Sequence, residues 1–452
     1  MSLGRIFDIA QSGLSTYQGA IDVTSNNIAN SSNPDYSRQR VVLATTPSQQ
    51  QGQFVWGTGV QIGQIQRVRD QLTDQQIIAN NSKYSSSSKS NDLLTQVQSL
   101  YSEPSDIGLS NLSSTFFNSW EQLSVTPNSI SLRNNVIQAG QNLSDKVQSI
   151  NQGLQTVKTS IYGQVQSNVD SINADVKQIQ SLNKQIFTAQ STGLQPNDLL
   201  DQRDKAIADL SNLTNINVTY DSGNSAVISI GGVFVADRSS YTQIKLASSG
   251  DKLQLTSADG SVTANLTGGS TNALLDVYNN KIPAYQSGLD SYVNRLMTSV
   301  NAQQSSGYTI NNPPETGINF FSSYTNGVLS INQQILDDPQ KIAASKDGTS
   351  GNGDIALNIA NLLTTPDSTG TTLQDNYNSL ISNIGNDTKS SSDSANSYNL
   401  VLQQLNQQKD SNSGVSVDEE MMNVIKYQRS YEASAKLVTM ANDMLQTLLN
   451  MV

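Results

Sequence analysis

The sequence predicts an α+β multidomain protein with a terminal α-helical coiled-coil region, an elongated, mainly helical central domain and an inserted antiparallel β domain. Three observations predict this fold class. Heptad stripes occur at both ends of the 452-residue chain, and such stripes are typical of helices that pack along other helices. A long helical stripe occupies residues 143–186, and a period of two replaces it between residues 217 and 266.

The first element is a helix that ends near residue 28, because the turn-forming residues 30–34 follow it. Strand-like stretches come next, at residues 40–45 and 60–68. Residues 72–100 are polar and helical by propensity. The stripe of the first helix alternates steps of four and three at Leu3, Phe7, Ala10, Leu14, Tyr17, Ile21, Thr24 and Ile28.

The strongest internal helix occupies residues 143–186. A helix of this length spans roughly 60 Å at about 1.5 Å per residue, so the sequence predicts an elongated domain. Its stripe comprises Leu143, Val147, Ile150, Leu154, Val157, Ile161, Val165, Val169, Ile172, Val176, Ile179 and Ile186.

Residues 217–266 are predicted to form a β-meander inserted in this helical body. Gly231 and Gly232 lie between two short apolar runs, which is a hairpin signal. The expected strands occupy residues 227–230, 233–235, 242–247, 252–256 and 261–266. The predicted division is a terminal domain of residues 1–35 and 412–452, an elongated domain of residues 36–215 and 270–411, and an outer β-rich domain of residues 216–269.

The C-terminal segment carries two helical stripes. Before it, helical spacing resumes at residues 278–300, where Pro283 marks a kink or a restart, and at residues 373–408. The heptad stripe comprises Met421, Val424, Gln428, Tyr431, Ala435, Val438, Asn442, Leu445, Leu449 and Val452. The second stripe comprises Leu437, Ala441, Met444, Leu448 and Met451. A single partner helix cannot cover both stripes.

Both terminal segments are therefore expected to form an assembly interface. Isolated helices are marginally stable in water, so we expect these ends to be poorly ordered in the monomer and to become ordered between neighbouring subunits. The expected interface residues are Leu3, Phe7, Ala10, Leu14, Tyr17, Ile21, Ile28, Met421, Val424, Tyr431, Val438, Leu445, Leu449 and Val452.

A capping box is predicted at the start of the last helix. Ser416 is expected to accept a hydrogen bond from the amide of Glu419, and the Glu419 carboxylate to return one to the amide of Ser416. The alternative interpretation is an acidic metal or acid/base cluster with Asp418 and Glu420. Adjacent acids on one helix point in different directions, which favours the cap.

Three other motifs have ordinary interpretations. The glycine-rich residues 57–63 lack the spacing of a dinucleotide-binding loop, and residues 351–354 lack that of a calcium loop. Asp201 and Asp204 could serve as paired carboxylates. We expect them instead to flank Arg203 in a surface ion network at a helix start.

Composition excludes several classes of function. The net charge of −11 argues against nucleic acid and against an anionic membrane surface as partners. The chain has no Cys and no His, which removes disulfides, the usual zinc sites and the commonest general base. We predict no catalytic residue, metal or cofactor. The first residues lack a signal-peptide pattern, and no apolar run approaches the ~20 residues of a membrane span.

Residues 24–30, Thr-Ser-Asn-Asn-Ile-Ala-Asn, resemble the N-terminal signature of bacterial flagellar rod, hook and hook-associated proteins. Residues 413–420 and 427–431 are typical of this axial family at large. A narrower pattern, that of the hook-associated protein 1 family at the hook–filament junction, is similar to residues 34–39, 56–60, 197–204, 319–321 and 342–345. The chain departs from it at Asp35, where glycine is usual, and at Gln304, where histidine is frequent. The short link between residues 321 and 342 indicates a short form.

The resemblance implies a structural, non-enzymatic protein of the extracellular flagellum. It implies secretion through the flagellar type III apparatus without a cleaved signal, and terminal helices that form the inner coiled-coil layer of a tube. The implied partners are further copies, the hook subunit, a second junction protein, and a cytosolic export chaperone at the C-terminal helix. Two alternatives remain open: another axial protein (hook-associated protein 3 or a hook or rod subunit), and a secreted carboxylate hydrolase acting through residues such as Asp201.

Overall fold

The computed structural model describes residues 3–368 and 370–450. The chain forms two compact units, and each is assembled from separate stretches of sequence. The terminal unit comprises Met1–Ser82, Ser171–Ile244 and Tyr398–Val452, and the central unit comprises Lys83–Asp170 and Lys245–Ser397. The three-part division expected from the sequence remains a prediction.

Helices dominate both units, which confirms the predicted α+β class with terminal helices and small antiparallel sheets. The helices are α1 Leu3–Ala29, α2 Gln71–Tyr101, α3 Leu109–Val125, α4 Ile130–Ser191, α5 Asn197–Leu213, α6 Gly269–Asp276, α7 Ile282–Ser306, α8 Gln333–Asp337, α9 Asp354–Asn361, α10 Leu373–Ser413 and α11 Val417–Leu449. A π-helical turn, Val277–Lys281, joins α6 to α7. Pro283 thus lies at the restart of a helix, in agreement with the prediction.

The strands pair only with antiparallel neighbours among the described residues. They are β1 Gln39–Thr45, β2 Gln49–Gln51, β3 Phe54–Trp56, β4 Val60–Arg67, β5 Ile216–Tyr220, β6 Ala226–Ile230, β7 Val233–Ala236, β8 Ile244–Ser249, β9 Lys252–Ser257, β10 Phe321–Thr325 and β11 Val328–Ile331. The sheets are β1–β4, β2–β3, β5–β6–β7, β8–β9 and β10–β11.

The β region is not the single meander that the sequence predicted. The hairpin around Gly231 and Gly232 is present as β6 and β7, but β8 pairs with β9 and not with β7. After β7 the Asp237 carboxylate accepts hydrogen bonds from the amides of Ser239 and Ser240. This side-chain turn reverses the chain, so that Tyr241 bridges to Ala236 and the Thr242 amide donates to the Val235 carbonyl. The pairing with β7 ends there, and β8 begins at Ile244.

The prediction of a strand at residues 261–266 is wrong. Within the described chain this segment contributes one isolated bridge, between Thr256 and Thr263. The Asp259 carboxylate accepts hydrogen bonds from the Ser261 amide and hydroxyl and from the Ser257 hydroxyl. These local bonds compete with a ladder, as Asp and Ser side chains do in turns.

The long stripe on α4 is buried at every predicted position between Leu143 and Ile186. In the central unit the core next to α4 is aromatic. Phe116 and Trp120 of α3 pack against Phe320 and Phe321, with ring centroids 4.8–6.3 Å apart. These rings supply most of the apolar area at that point, since each aromatic side chain buries a large surface.

Helix-borne asparagines replace missing strand neighbours. Each donates its amide to the carbonyl of one strand or strand-edge residue and accepts from the amide of that same residue, at 2.7–2.9 Å. The pairs are Asn173 with Ile244 and Asn183 with Ala226 in the terminal unit, and Asn279 with Leu253 and Asn301 with Phe321 in the central unit. The carboxamide mimics a peptide group, so small sheets are anchored to helices without an exposed strand edge.

Candidate assembly surface

Helices α1 and α11 pack antiparallel through small side chains. Ala10, Gly13 and Ala20 on α1 are buried, and Ser434 and Ala441 are the buried small residues on α11. A Cβ added at Gly13 would lie 2.6 Å from Ser434 Oγ, so a side chain at residue 13 fits only if the Ser434 side chain is displaced or removed. The closeness of this contact depends on glycine at that position.

The predicted N-terminal interface residues lie beside this line of contact between α1 and α11, which we call the seam. Ala10 is buried, and Phe7, Leu14, Tyr17, Ile21 and Ile28 are half-buried. Leu3 begins α1, but its side chain lies outside the described atoms. The large apolar side chains of α1 therefore remain partly accessible.

The predicted C-terminal interface residues are the more exposed set. Met421, Tyr431 and Leu449 are exposed, with 52%, 37% and 74% of their surface accessible, whereas Val424, Val438 and Leu445 are half-buried. Val452 lies outside the described residues. The most buried of the described positions of α11 are Glu420, Ser434 and Ala441. Each lies one residue before a member of the predicted stripe, namely Met421, Ala435 and Asn442. Apolarity selects large residues, but close helix packing selects small ones, which explains the offset.

A second face of α1 packs on β4. The Thr16 hydroxyl donates to the carbonyl of Val60 at 2.9 Å, and Gly59 lies so close to α1 that a Cβ there would be 2.1 Å from Ser12 Oγ. Gly59 also has φ +122°, a conformation that favours glycine. The glycine-rich residues 57–63 thus form a turn and the start of β4 that pack against α1, in agreement with their interpretation as an ordinary turn.

A buried polar cluster joins α1, the loop after it and α11. We name it the Glu420 network, and it comprises Asn27, Tyr36, Arg38 and Glu420. Asn27 Nδ2 donates to Glu420 Oε2 at 3.0 Å, and Arg38 Nε donates to Glu420 Oε1 at 2.8 Å. Tyr36 Oη donates to Asn27 Oδ1 at 2.8 Å. Burial, followed by the charges of Asp201, Asp198 and Glu420, raises the pKa of Tyr36 to about 12.

The residues around Arg203 form a different network from the expected surface ion pairs. Asp201 and Asp204 pair with Arg67 at 2.6 and 2.9 Å, and Asp204 also pairs with Arg69 at 2.7 Å. All four side chains are largely shielded from solvent. The prediction missed them because Arg67 and Arg69 are distant in sequence.

Arg203 itself is 2% exposed and contributes mainly to the core of the terminal unit. Its Nη1 donates to the carbonyl of Asn224 at 2.6 Å, and its guanidinium lies 5.1 Å from the ring centroid of Tyr220. Burial lowers the pKa of Arg203. Since Asp201 and Asp204 are both ion-paired with arginines, they are not the free, paired carboxylates that the hydrolase hypothesis needs.

The cap of α11 differs from the expected reciprocal box. Ser416 stands directly before the helix, and its hydroxyl lies 3.5 Å from the Glu419 amide. The Glu419 carboxylate contacts Arg38 at 3.0 Å instead of returning to Ser416. An arginine in the neighbouring loop offers a charged donor, which attracts the carboxylate more strongly than a neutral amide does.

Among residues 3–368 and 370–450, no cluster of three or more His, Cys, Asp or Glu side chains could hold a metal ion. Across that same part of the chain, no helix combines the length and apolarity that a membrane crossing requires. At residues 351–354, Asn352 Oδ1 accepts from the amide of Asp354 at 3.2 Å, which is a turn before α9.

Comparison with known proteins first identifies the class of protein to which the two terminal segments are similar. Residues 7–36 match the family model of the flagella basal body rod protein, and residues 406–451 match that of the flagellar basal body rod FlgEFG protein C-terminal region. These are the segments that contain α1 and α11, so the helix pair is the part of the chain that is similar to flagellar rod proteins. The chain belongs to the flagellar hook-associated protein FlgK family, whose helical-domain model matches residues 94–321.

Whole-chain relatives agree with this assignment. The chain is 29% identical to the flagellar hook-associated protein 1 of Bacillus subtilis, over 98% of this chain and 97% of the relative. It is 24% identical to that of Salmonella typhimurium, over 99% and 100%. A flagellar hook junction protein FlgK structure from Burkholderia pseudomallei has the same fold, with a TM-score of 0.64, 16% identity, and coverage of 75% of this chain and 100% of that one.

These matches confirm the resemblance found in the sequence. The protein is a structural component of the bacterial flagellum, and its partners include other flagellar axial proteins.

Proposed function

We propose that this protein forms the junction between hook and filament by helical polymerisation through α1 and α11. The proposal includes export through the flagellar type III apparatus and contacts with the hook subunit and a second junction protein. It also includes a cytosolic chaperone that covers α11 before export. Family membership supports the position in the flagellum, and the surface of α11 supports the mode of assembly.

The observation that carries the proposal is the apolar face that α1 leaves uncovered on α11. Large side chains are exposed along the whole helix, at Met421, Met422, Ile425, Leu437, Met440, Met444 and Leu449. Leu437, Met440 and Met444 follow helical spacing and share one face. An exposed apolar face of this extent marks an interaction site, and methionine suits surfaces that pack against more than one partner.

A helical tube would bury this apolar face more completely than a closed dimer would. In a helical polymer each subunit presents one patch to the next and a different patch to the previous one. The half-buried Leu14, Ile21 and Ile28 on α1 and the exposed methionines on α11 lie on different helices. They could therefore be buried by different neighbours at the same time.

The test is complementation of a deletion strain with Leu14→Asp or Leu445→Asp. Each change places a charge on the proposed interface, where an unpaired charge is costly to bury. We expect intact hooks, no filaments and flagellin released into the medium, while the purified variants keep the circular dichroism spectrum of the folded chain. Electron microscopy and analysis of the medium measure these outcomes.

The matched control is Leu357→Asp, because Leu357 is a 44%-exposed leucine on α9, away from the terminal helices. Cells with this variant should grow normal filaments. Normal filament growth with Leu14→Asp and Leu445→Asp would refute assembly through the terminal helices.

A further inference from the structure

We propose that Glu420 sets the register in which α1 and α11 pair. This residue is 2% exposed, and the other buried residues at its contact with α1 are the small Ser434 and Ala441. This role concerns the folded single chain, so it goes beyond the proposed junction function and does not depend on it.

Both carboxylate oxygens of Glu420 have partners in the observed register. Oε2 accepts from Asn27 Nδ2 at 3.0 Å, while Oε1 accepts from Arg38 Nε at 2.8 Å and from Nη2 at 2.6 Å. A buried carboxylate that loses such partners is strongly destabilising, because its charge is then uncompensated. Any register that separates Glu420 from residues 27 and 38 is therefore disfavoured.

The orientation of the Asn27 carboxamide is fixed by bonds that do not involve α11. Asn27 Oδ1 accepts from Tyr36 Oη at 2.8 Å and from the Gln39 amide at 3.0 Å. These bonds fix which end of the carboxamide faces α11, so that Nδ2 points to the carboxylate. Asn27 on α1 and Arg38 in the loop after it thus present donors that match a carboxylate.

The rest of the seam discriminates weakly between registers. Gly13 faces Ser434, and a slip of one heptad would bring Ala441 to the same place. Serine and alanine differ little in size, so the packing is nearly unchanged. The same slip displaces Glu420 by roughly 10 Å along the helix and brings Tyr427 opposite Asn27.

The stack of Tyr17 on Tyr427, with centroids 6.5 Å apart, also belongs to the observed register. Both rings are half-buried and uncharged, so losing their contact exposes no charge in the interior. Glu420 is the buried charge on the seam, and the register depends mainly on it.

Cysteine cross-linking reports the register directly, because the chain has no native cysteine. A Cβ at residue 13 would lie 3.3 Å from Ser434 Cβ, close to the spacing that a disulfide needs. The pair Gly13→Cys with Ser434→Cys therefore reports the observed register in the full chain. The pair Gly13→Cys with Ala441→Cys reports the register slipped by one heptad, and it is made together with Ser434→Gly so that the new cysteine meets no side chain in the observed register.

With Glu420 present, we expect only the first pair to cross-link. Glu420→Gln keeps the shape of the side chain but removes its charge. It also places an amide N–H group against the donors of Asn27 and Arg38. The ratio of native to slipped cross-link should then fall by about tenfold or more. Dilute protein and mass spectrometry ensure that the disulfides counted are within one chain.

The matched control is Glu419→Gln, since Glu419 also pairs with Arg38 but its side chain is 56% exposed. It should leave both cross-link yields unchanged. Two results would overturn the proposal: an unchanged native cross-link in Glu420→Gln, or loss of both cross-links. The second result would mean that Glu420 holds the helices together without selecting their register.

Discussion

Single polar side chains fix the positions of whole elements in this protein. Asn27, Asn173, Asn183, Asn279 and Asn301 each satisfy both backbone groups of one residue in or beside a strand. Each is a buried or half-buried amide whose removal would leave a carbonyl and an N–H without partners. The asparagine-rich composition is thus structural at these positions, because a carboxamide is the side chain that reproduces a peptide group.

Asn183→Ala tests this role at a buried site. Two hydrogen bonds to Ala226 and one from Arg203 are lost, so the free energy of unfolding should fall by about 2–4 kcal/mol. Denaturant unfolding followed by circular dichroism measures it. The adjacent exposed Lys184→Ala should change the free energy by less than about 0.5 kcal/mol. Equal effects from the two variants would contradict the role of the carboxamide.

At the scale of elements, close packing of α1 on α11 depends on glycine and other small residues at the contact. The heptad period correctly predicted two terminal helices, but it assigned the contact to the larger apolar residues. The observed contact uses Ala10, Gly13 and Ser434, and it leaves Leu449 and the methionines outside. Sequence periodicity identifies a stripe but cannot say which of two adjacent stripes faces the nearer helix, because that depends on backbone distance.

Gly13→Ala should separate the two helices. The new methyl group would lie 2.6 Å from Ser434 Oγ, and we expect the loss from overpacking to be about 1–3 kcal/mol. Hydrogen exchange should show weaker protection of α11 amides. The second change Ser434→Gly should restore part of that protection, since it removes the clashing atoms.

Gly4→Ala is the control within the same helix, because nothing lies within 4 Å of a Cβ there. Alanine favours the helix more than glycine does, so protection should be unchanged or slightly stronger. Full protection of α11 in Gly13→Ala would show that the close contact is unimportant.

At the scale of the whole molecule, both units contain tyrosines with raised pKa values, such as Tyr36 and Tyr220 in the terminal unit, but the central unit contains more of them. The terminal unit is held by the Glu420 network and by the pairs of Arg67 and Arg69 with Asp201 and Asp204. The central unit contains a set of tyrosines whose pKa values are raised, first of all by burial: Tyr101, Tyr285, Tyr292, Tyr324 and Tyr377. The central unit should therefore respond to high pH.

The stability of the central unit should fall as the pH rises above 10. The pKa of Tyr292 is raised from 10.0 to about 12, so between these values the unfolded chain loses a phenolic proton that the folded chain keeps. A raised folded-state pKa gives stability that is complete below the unfolded value and is lost as the pH rises. Denaturant unfolding at a series of pH values measures the slope. Tyr292→Phe should reduce it, whereas titration of the folded tyrosines near their ordinary pKa would contradict the prediction.

The sequence by itself determined the long helices, about half of the strand positions and the family, because these depend on periodicity, turn residues and local motifs. It placed α1, the stripe of α4 and the hairpin of β6 and β7 correctly, since neighbours along the chain decide them. It missed the helix α3, the short helices α6, α8 and α9, the strands β2, β3, β10 and β11, and the arginine partners of Asp201 and Asp204.

Only the tertiary structure decided which face of α11 contacts α1 and where Glu419 and Glu420 point. It also showed that Arg203 is buried. The orientation of the two glutamates depends on residues hundreds of positions apart, such as Arg38 and Glu420, whereas the partners of Arg203 lie about 20 residues away, at Asn183 and Asn224. Local pattern contains no information about such pairs, because the distance between two segments is set by the packing of everything between them.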